Sequence, residues 1–391
     1  MKIVMLCDFY NEAMEYQENL LVRYYLKHGH DVVVIASTFD SVFDYYSDRH
    51  DNSKPARTYC DGAAKIIKLR YRYNILNRLR AYTPIGEIFR AEAPDLIYVH
   101  DIMLNFPEAI RYLKQHPNCR MIMDYHADYS NSGKNAFSLN ILHGVIRKRF
   151  LDRARPYLSK IFPVVPASVV FLREIYKVPH EEMEILPLGA DIDLAREISR
   201  REEGKILRRS YGFADDAIVI FSGGKLGPDK KTELLIEAVG RLQRYPLQLV
   251  VVGEAGKENE SYSKNLRKMA EGRENIRFVG WLGPADIYKH LDMADLAVFP
   301  AGQSILWQQA IAMGLPLIVG DIGHQDISYL NLYDNIIILR QSDISSEKFT
   351  AAIERVISDP ARMRSMSAGA TKVADERLDW NKLILKTLQF N

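Results

Sequence analysis

The 391-residue sequence predicts an α/β protein made of two doubly wound, parallel-sheet domains. Three observations carry that prediction. Short β-branched runs alternate with amphipathic stretches along nearly the whole chain. The alternation falls into two successive series of similar size. The first series opens strand, helix, strand, a unit whose default is a parallel pair with a right-handed crossover.

Residues 2–7 form the first apolar strand. In "YQENLLVRYYLKHGHD", Leu20, Leu21, Tyr24 and His28 are spaced for one helix face, and Gly29 is placed to end that helix. "DVVVIAS" (31–37) is the kind of run that a sheet covered on both faces requires. Residues 40–63 are polar and without a period, and predict a mobile loop over a ligand cleft. Strands follow at 95–101, 120–128 and 160–168, the last with proline breaks, and 184–191 is an extended exit. Residues 193–212 are charged and predicted helical. The second series places strands at the start of "AIVIFSGG", in "LQLVVVGEAG", "NIRFVGWL", "DLAVFPA" and "PLIVGD", and in "NIIIL", with helices between. Three helical stretches close the chain, one of them opened by Asp359 as N-cap with Pro360 behind it. The expected domains are 1–190, joined by the terminal helix 377–391, and 191–376.

Composition narrows the class. Hydrophobic residues make up 47 % and charged residues 26 %, with a formal net charge of +2, so no whole-chain field points to nucleic acid. The three cysteines, Cys7, Cys60 and Cys119, are too scattered for a disulfide framework or a structural zinc site. The first residues lack the long apolar core of a signal peptide, and no stretch approaches the ~18 apolar residues of a membrane span. These features predict a cytoplasmic protein that meets membranes only at its surface.

In open α/β sheets ligands bind beyond the carboxyl ends of strands, so the residues after each strand are the candidates. After the first strand of the second series, Gly223 and Gly224 permit close backbone approach, and Lys225 and Lys230 flank a turn before a helix. That grouping suits a diphosphate. Spacing alone equally describes a solvated turn with two surface lysines. Gly253 and Glu254 follow the next strand. In "PAGQSILWQQAIAMGLPLIVGD" (300–321), Gly302 allows a tight turn, Gln303 follows it, Ser304 is placed as N-cap and Gly314 as C-cap. The free N–H groups of that helix start favour an anion without a side-chain charge. An ordinary buried helix would show the same apolar residues. The first half offers Asn11 and Glu12 after its first strand, His100 and Asp101 at another strand end, and His126 with Asp124 and Asp128 at a third. His126 is able to donate a hydrogen bond to a substrate or to accept a proton. A lone histidine is more often structural. No acidic cage for a metal is recognisable.

Six stretches in order carry a family resemblance. "MKIVMLCDFYNEAMEYQENLLVRYYLKHGHDVVVIAS", "EILPLGADID", "GGKLGPDKKTELLIEA", "LVVVGEAG", "NIRFVGWLGPADIYKHLDMADLAVFPA" and "QAIAMGLPLI" resemble, one by one, the GT-B glycosyltransferases, and more narrowly glycosyltransferase family 4. The resemblance implies two Rossmann-like domains facing a central cleft, the nucleotide sugar on the C-terminal one and the acceptor on the N-terminal one. It implies transfer of a sugar from a nucleotide-diphosphate donor to a hydroxyl acceptor with retention of configuration, without metal or other cofactor, a UDP-sugar being favoured and a GDP-sugar next. It assigns His126 to the donor sugar and acceptor, and Lys225 and Lys230 to the departing diphosphate. Gly223, Gly224, Gly253, Glu254, Gly302, Gln303, Ser304 and Gln309 fall on the donor side, and Asn11, Glu12, His100, Asp101 and Asp128 on the acceptor side. The family's Glu-x7-Glu pair is replaced: Ala301 stands for the first glutamate and Gln309 for the second. An amide still bonds a ribose diol; a methyl does not.

Two basic segments lie in the acceptor half. Residues 65–80 carry Lys65, Lys68, Arg70, Arg72, Arg78 and Arg80 with no acid, and residues 143–160 carry five basic residues between Arg147 and Arg155. Both suit an anionic membrane surface and a lipid-linked or glycan acceptor on the inner face of the cell membrane. A solvated helix face has the same composition. No recognition motif for nucleic acid accompanies them. The expected function is a glycosyltransferase for cell-surface polysaccharide or glycolipid. A sugar-nucleotide epimerase of the same fold, or a non-catalytic sugar-nucleotide-binding subunit, are the alternatives.

Overall fold

A computed structural model describes residues 1–40, 45, 54–75, 77–132, 135–323 and 326–389. The chain divides into two compact units, Met1–Pro187 with Trp380–Asn391, and Leu188–Asp379.

The first unit is built on strands β1 (Lys2–Leu6), β2 (Asp31–Ser37), β3 (Arg57–Asp61), β4 (Ala64–Leu69), β5 (Tyr71–Ile75), β6 (Leu79–Tyr82), β7 (Leu96–His100), β8 (Arg120–Tyr125) and β9 (Lys160–Pro163). Seven of them form one sheet in the order β3-β4-β2-β1-β7-β8-β9, parallel except for β3 against β4. The apolar run of β2 is buried from Val32 through Ser37, because helices cover both faces. On one face the terminal helix Trp380–Leu388 packs Trp380, Leu383 and Ile384 against Leu20, Leu21 and Tyr24 of the helix Gln17–Lys27. A hydrogen bond of 2.6 Å between the hydroxyls of Tyr25 and Thr387 ties the same two helices.

The second unit carries β10 (Ile218–Gly223), β11 (Leu247–Val252), β12 (Ile276–Gly280), β13 (Leu296–Phe299), β14 (Leu317–Asp321) and β15 (Ile336–Arg340), all parallel, in the order β12-β11-β10-β13-β14-β15. The strand order reverses beside β1, between β2 and β7, and beside β10, between β11 and β13. Crevices beyond the strand ends open at such reversals. They lie at Asp8 and His100–Asp101 in one unit, and at Gly223–Gly224 and Pro300–Ser304 in the other.

Three expectations change. The loop foreseen over 40–63 contains β3, an edge strand whose mostly exposed "RTYCD" shows no apolar alternation; residues 41–44 and 46–53 lie outside the described residues. The segment 65–80 is not one basic face. It supplies β4 and the β5–β6 hairpin, and Lys68 is fully buried, its ammonium bonded to the carbonyls of Tyr10 and Phe39. The strand expected over 160–168 stops at Pro163, and Pro166 opens a helix, Pro166–Ile175. Among the described residues no helix is long and apolar enough to cross a membrane.

Candidate functional site

In the second unit, β10 ends on Gly223, which has no room for a Cβ: one would lie 2.6 Å from the Val252 carbonyl oxygen. The chain then turns through Gly224 at φ 127° and meets the loop after β13. There Gly302 adopts φ 75°, and a Cβ on it would stand 2.7 Å from both Cδ and Nζ of Lys230. Lys230 therefore occupies the space that two glycines leave. Its ammonium donates to the carbonyl oxygen of Gln303 at 2.6 Å, and no carboxylate among the described residues pairs with it. Burial pushes it below its usual value, against a smaller opposing pull from Asp229. A half-buried cation with one carbonyl partner is short of negative charge, and an anion would supply it.

Ser304, expected as the N-cap, lies one residue before it: Ile305 is the N-cap and makes no side-chain cap hydrogen bond, while the Ser304 hydroxyl accepts the Leu306 amide at 3.3 Å. The helix it leads spans only Leu306–Ala312 and ends on Gly314 at φ 72°. With so short a helix, the loop amides matter more than the dipole. Gln309 on that helix is buried, and its amide oxygen has no hydrogen-bond partner among the described residues. Ala301 is also buried. Lys225 turns outward, 2.8 Å from the exposed Glu258, so the two lysines have separate environments. Gly253, at φ 109°, is needed where its Cα crosses the Gly224 backbone, and Glu254 is exposed beside Gly280.

In the first unit, His100 ends β7 and faces Asp124 of β8 in register. Asp124 is fully buried. One of its oxygens receives the Tyr98 hydroxyl at 2.9 Å and His100 Nδ1 at 3.0 Å, with His126 Nε2 3.4 Å away. Its other oxygen accepts the Asp101 amide at 3.3 Å. The two imidazole rings lie 4.3 Å apart. Burial would raise the carboxyl of Asp124, but the charges of His100 and His126 outweigh it and hold the group well below the usual range. Burial likewise opposes charge on His100; Asp124 overcomes it and pushes the imidazole up to about 10. Buried Glu18 adds negative potential, its own carboxyl raised by burial and opposed by His100. His100, Asp124 and His126 offer ligand atoms within 4.8 Å of one another, the one such cluster among the described residues. Asp124 already receives three hydrogen bonds, from Tyr98, His100 and the Asp101 amide, and His126 Nε2 stands next to it without a hydrogen-bond partner among the described residues.

Asp101, at φ 62°, accepts the His126 amide at 3.0 Å and fixes that residue's backbone. The remaining acceptor-side residues make local hydrogen bonds. Asp128 is buried and receives the amides of Ser130 at 2.7 Å and Asn131 at 3.1 Å. Asn11 caps its own turn through the Ala13 amide, and Glu12 accepts the Tyr59 hydroxyl at 3.1 Å. None of these three lines the pocket beside His100. That pocket is bounded instead by Asp8 and by Arg78, Arg80 and Arg147, which strand-end reasoning passed over because two of them lie on or beside a hairpin and one on a helix.

Residues 19–194 match the family described as Glycosyltransferase Family 4, and residues 204–373 the family described as Glycosyl transferases group 1. Over 364 residues the chain is 25 % identical to YtcC of Bacillus subtilis, which is named as a glycosyltransferase, covering 86 % of this chain and 82 % of that one. Among solved structures it is similar to HepE of Anabaena in complex with UDP, at 19 % identity, TM-score 0.68 and 99 % of each chain. It is similar also to sucrose-phosphate synthase from Thermosynechococcus elongatus, at 15 % identity and TM-score 0.69, over 100 % of this chain and 98 % of that one.

Proposed function

The chain belongs to the GT-B glycosyltransferases of family 4, and from that premise we propose that it moves a hexosyl group from a nucleoside-diphosphate sugar, a UDP-sugar before a GDP-sugar, to a hydroxyl acceptor with retention of configuration. The observation that carries the reading is the ammonium of Lys230, held between Gly224 and Gly302 with a carbonyl as its one hydrogen-bond partner among the described residues. When the bond from the sugar's anomeric carbon to the β-phosphate oxygen breaks, negative charge grows on the diphosphate, and a fixed cation there stabilises the transition state more than the ground state. The acceptor oxygen bonds the same face of the anomeric carbon, and its proton passes to the departing phosphate oxygen. The unpartnered amide oxygen of Gln309 accepts a ribose hydroxyl. Loop amides at Gly302–Ser304 take the sugar contact that Ala301 lacks. His126, its backbone amide held by Asp101, is the residue that the family resemblance assigns to the sugar. No metal or other cofactor enters these steps. HepE is described in complex with UDP and with UDP-glucose, which supports uridine as the first base to try.

The acceptor is a cell-surface glycan or glycolipid precursor, and the chain meets an anionic membrane from its first unit. Phe137, Ile141 and Val145, spaced four apart, are 64 %, 44 % and 55 % exposed next to Arg147 and Arg149. Exposed apolar and basic residues side by side suit a lipid interface. The buried Ala301 favours a second reading, a binder of sugar nucleotides without catalysis.

Release of UDP from a panel of UDP-sugars separates them. Lys230→Gln is expected to lower turnover by about 10²–10³, the loss typical for one transition-state donor. Lys225→Gln, which breaks an exposed pair with Glu258, is expected to change it by no more than about fivefold. Chelator is expected to leave the rate unchanged. Turnover that is absent from the wild type, with UDP still bound, would select the binder.

A further inference from the structure

The pairing of β7 with β8 sets His100 opposite Asp124, and His126 follows one residue beyond the end of β8. Around one carboxylate oxygen of Asp124 stand His100 Nδ1 at 3.0 Å and His126 Nε2 at 3.4 Å. In a tetrahedral zinc site, bonds of about 2.0–2.1 Å put neighbouring ligand atoms about 3.3 Å apart. The two separations bracket that edge, and all three ligand atoms lie within 4.8 Å of one another. The imidazole rings are 4.3 Å apart, so a rotation of His126 about its side-chain bonds closes the third edge. His126 Nε2 is free for it: the atom is buried and has no hydrogen-bond partner among the described residues, a cost that a cation would remove. The outer contacts that hold a metal-bound carboxylate are also in place. The Tyr98 hydroxyl donates to the same Asp124 oxygen at 2.9 Å, and the Asp101 amide to the other at 3.3 Å. Glu18, buried on the helix Gln17–Lys27, adds negative potential to the same three groups.

Two imidazoles and one carboxylate are the donors of a borderline cation such as Zn²⁺, whereas Mg²⁺ and Ca²⁺ take oxygen ligands throughout. Access is available. The side chains of His100 and His126 are 19 % and 25 % exposed, and His100 with Asp101 lines an open pocket. We propose that His100, Asp124 and His126 bind one Zn²⁺ ion, with water in the fourth position, and that the bound ion inhibits sugar transfer by occupying His126 Nε2. The ion takes the place of the proton on the His100–Asp124 bond, so Asp124 keeps a cationic partner on binding. The transfer steps themselves need no metal; zinc acts on them from outside. The inhibitory half of the inference rests on the transferase reading above, which gives His126 to the sugar. The binding half stands on the geometry alone.

Calorimetric titration of chelator-stripped protein with zinc chloride tests the site, using wild type, His126→Gln, Lys230→Gln and His28→Gln/His30→Gln, each matched for melting temperature. The partly exposed His126 makes its variant safe for folding, and the His28/His30 pair controls for surface histidines. Expected are one tightly held ion per wild-type chain, a weakening of at least about 100-fold in His126→Gln, and no change in the other two variants. Cobalt(II) chloride gives a readout that needs no variant: in a four-coordinate site the ion absorbs visible light far more strongly than its hexa-aquo form, and equimolar zinc should abolish that band. Absence of zinc binding by wild type, undiminished affinity in His126→Gln, or a cobalt spectrum that stays that of the aquo ion would overturn the site. Saturating zinc is expected to lower UDP-sugar turnover by at least about tenfold, with a midpoint at the calorimetric Kd and full recovery on adding chelator. Turnover retained with the site filled would overturn the inhibitory role. Failure of the transferase reading would show separately, as no turnover by metal-free wild type, and would remove that role while leaving the zinc site standing.

Discussion

Asp124 sits between two histidines, 3.0 Å from His100 Nδ1 and 3.4 Å from His126 Nε2. His100 and His126 were legible as strand-end residues, but the weight of Asp124 was not, because it depends on the pairing of β7 with β8 that sets His100 opposite it. The linkage has two limbs. Asp124, held below its ordinary 3.8, adds stability present above that value and lost as the pH falls through the lowered one. His100, raised from 6.5 to about 10, adds stability present below 6.5 and lost as the pH rises towards 10. The pair should therefore stabilise most between about pH 4 and 6.5. Asp124→Asn is expected to cost about 3 kcal/mol near pH 6, by stranding a buried imidazolium, and to flatten both limbs of a denaturation profile taken from pH 3 to 10. An unchanged profile would mean that the two imidazoles find their partner elsewhere. The lysines make the complementary case. Sequence spacing treats Lys225 and Lys230 alike, and only the contact of Lys230 with Gly302 and its carbonyl partner distinguishes a cradle from a rim.

The long apolar runs that become β1, β2, β7, β8 and the six strands of the second unit were legible element by element, since strands covered on both faces leave little choice of composition. The elements that escaped are those whose composition serves another end. β3 is exposed at the sheet edge, and β4 to β6 carry the basic residues that read as a surface stripe, although Lys68 and Arg80 are spent inside. The terminal helix expected over 377–391 spans Trp380–Leu388, and its packing partner is the first helix of the same unit. Trp380 is wholly buried, and its indole N–H has no acceptor among the described residues, so its contribution is packing. Trp380→Ala is expected to destabilise the first unit by about 4 kcal/mol and Trp380→Phe by clearly less, measured by urea unfolding. Equal losses would point to the missing N–H instead.

At the scale of the whole molecule, two sheets reverse their strand order at β1 and at β10, and both reversals carry charged side chains that the core has no use for. In the first unit these are His100, His126 and the arginine pocket; in the second, Lys230 among its glycines. Two family matches over successive halves of the chain fit that division. What decides the account is whether the second reversal binds a nucleotide. Calorimetric titration of wild type, Gly302→Ala and Lys230→Gln with UDP and with GDP is the most direct measurement. A methyl at position 302 must enter a left-handed backbone and displace the Lys230 ammonium. The account predicts that UDP binds wild type more tightly than GDP, and that each substitution weakens UDP by about tenfold or more. Failure of either nucleotide to bind, or UDP affinity untouched by both substitutions, would contradict it.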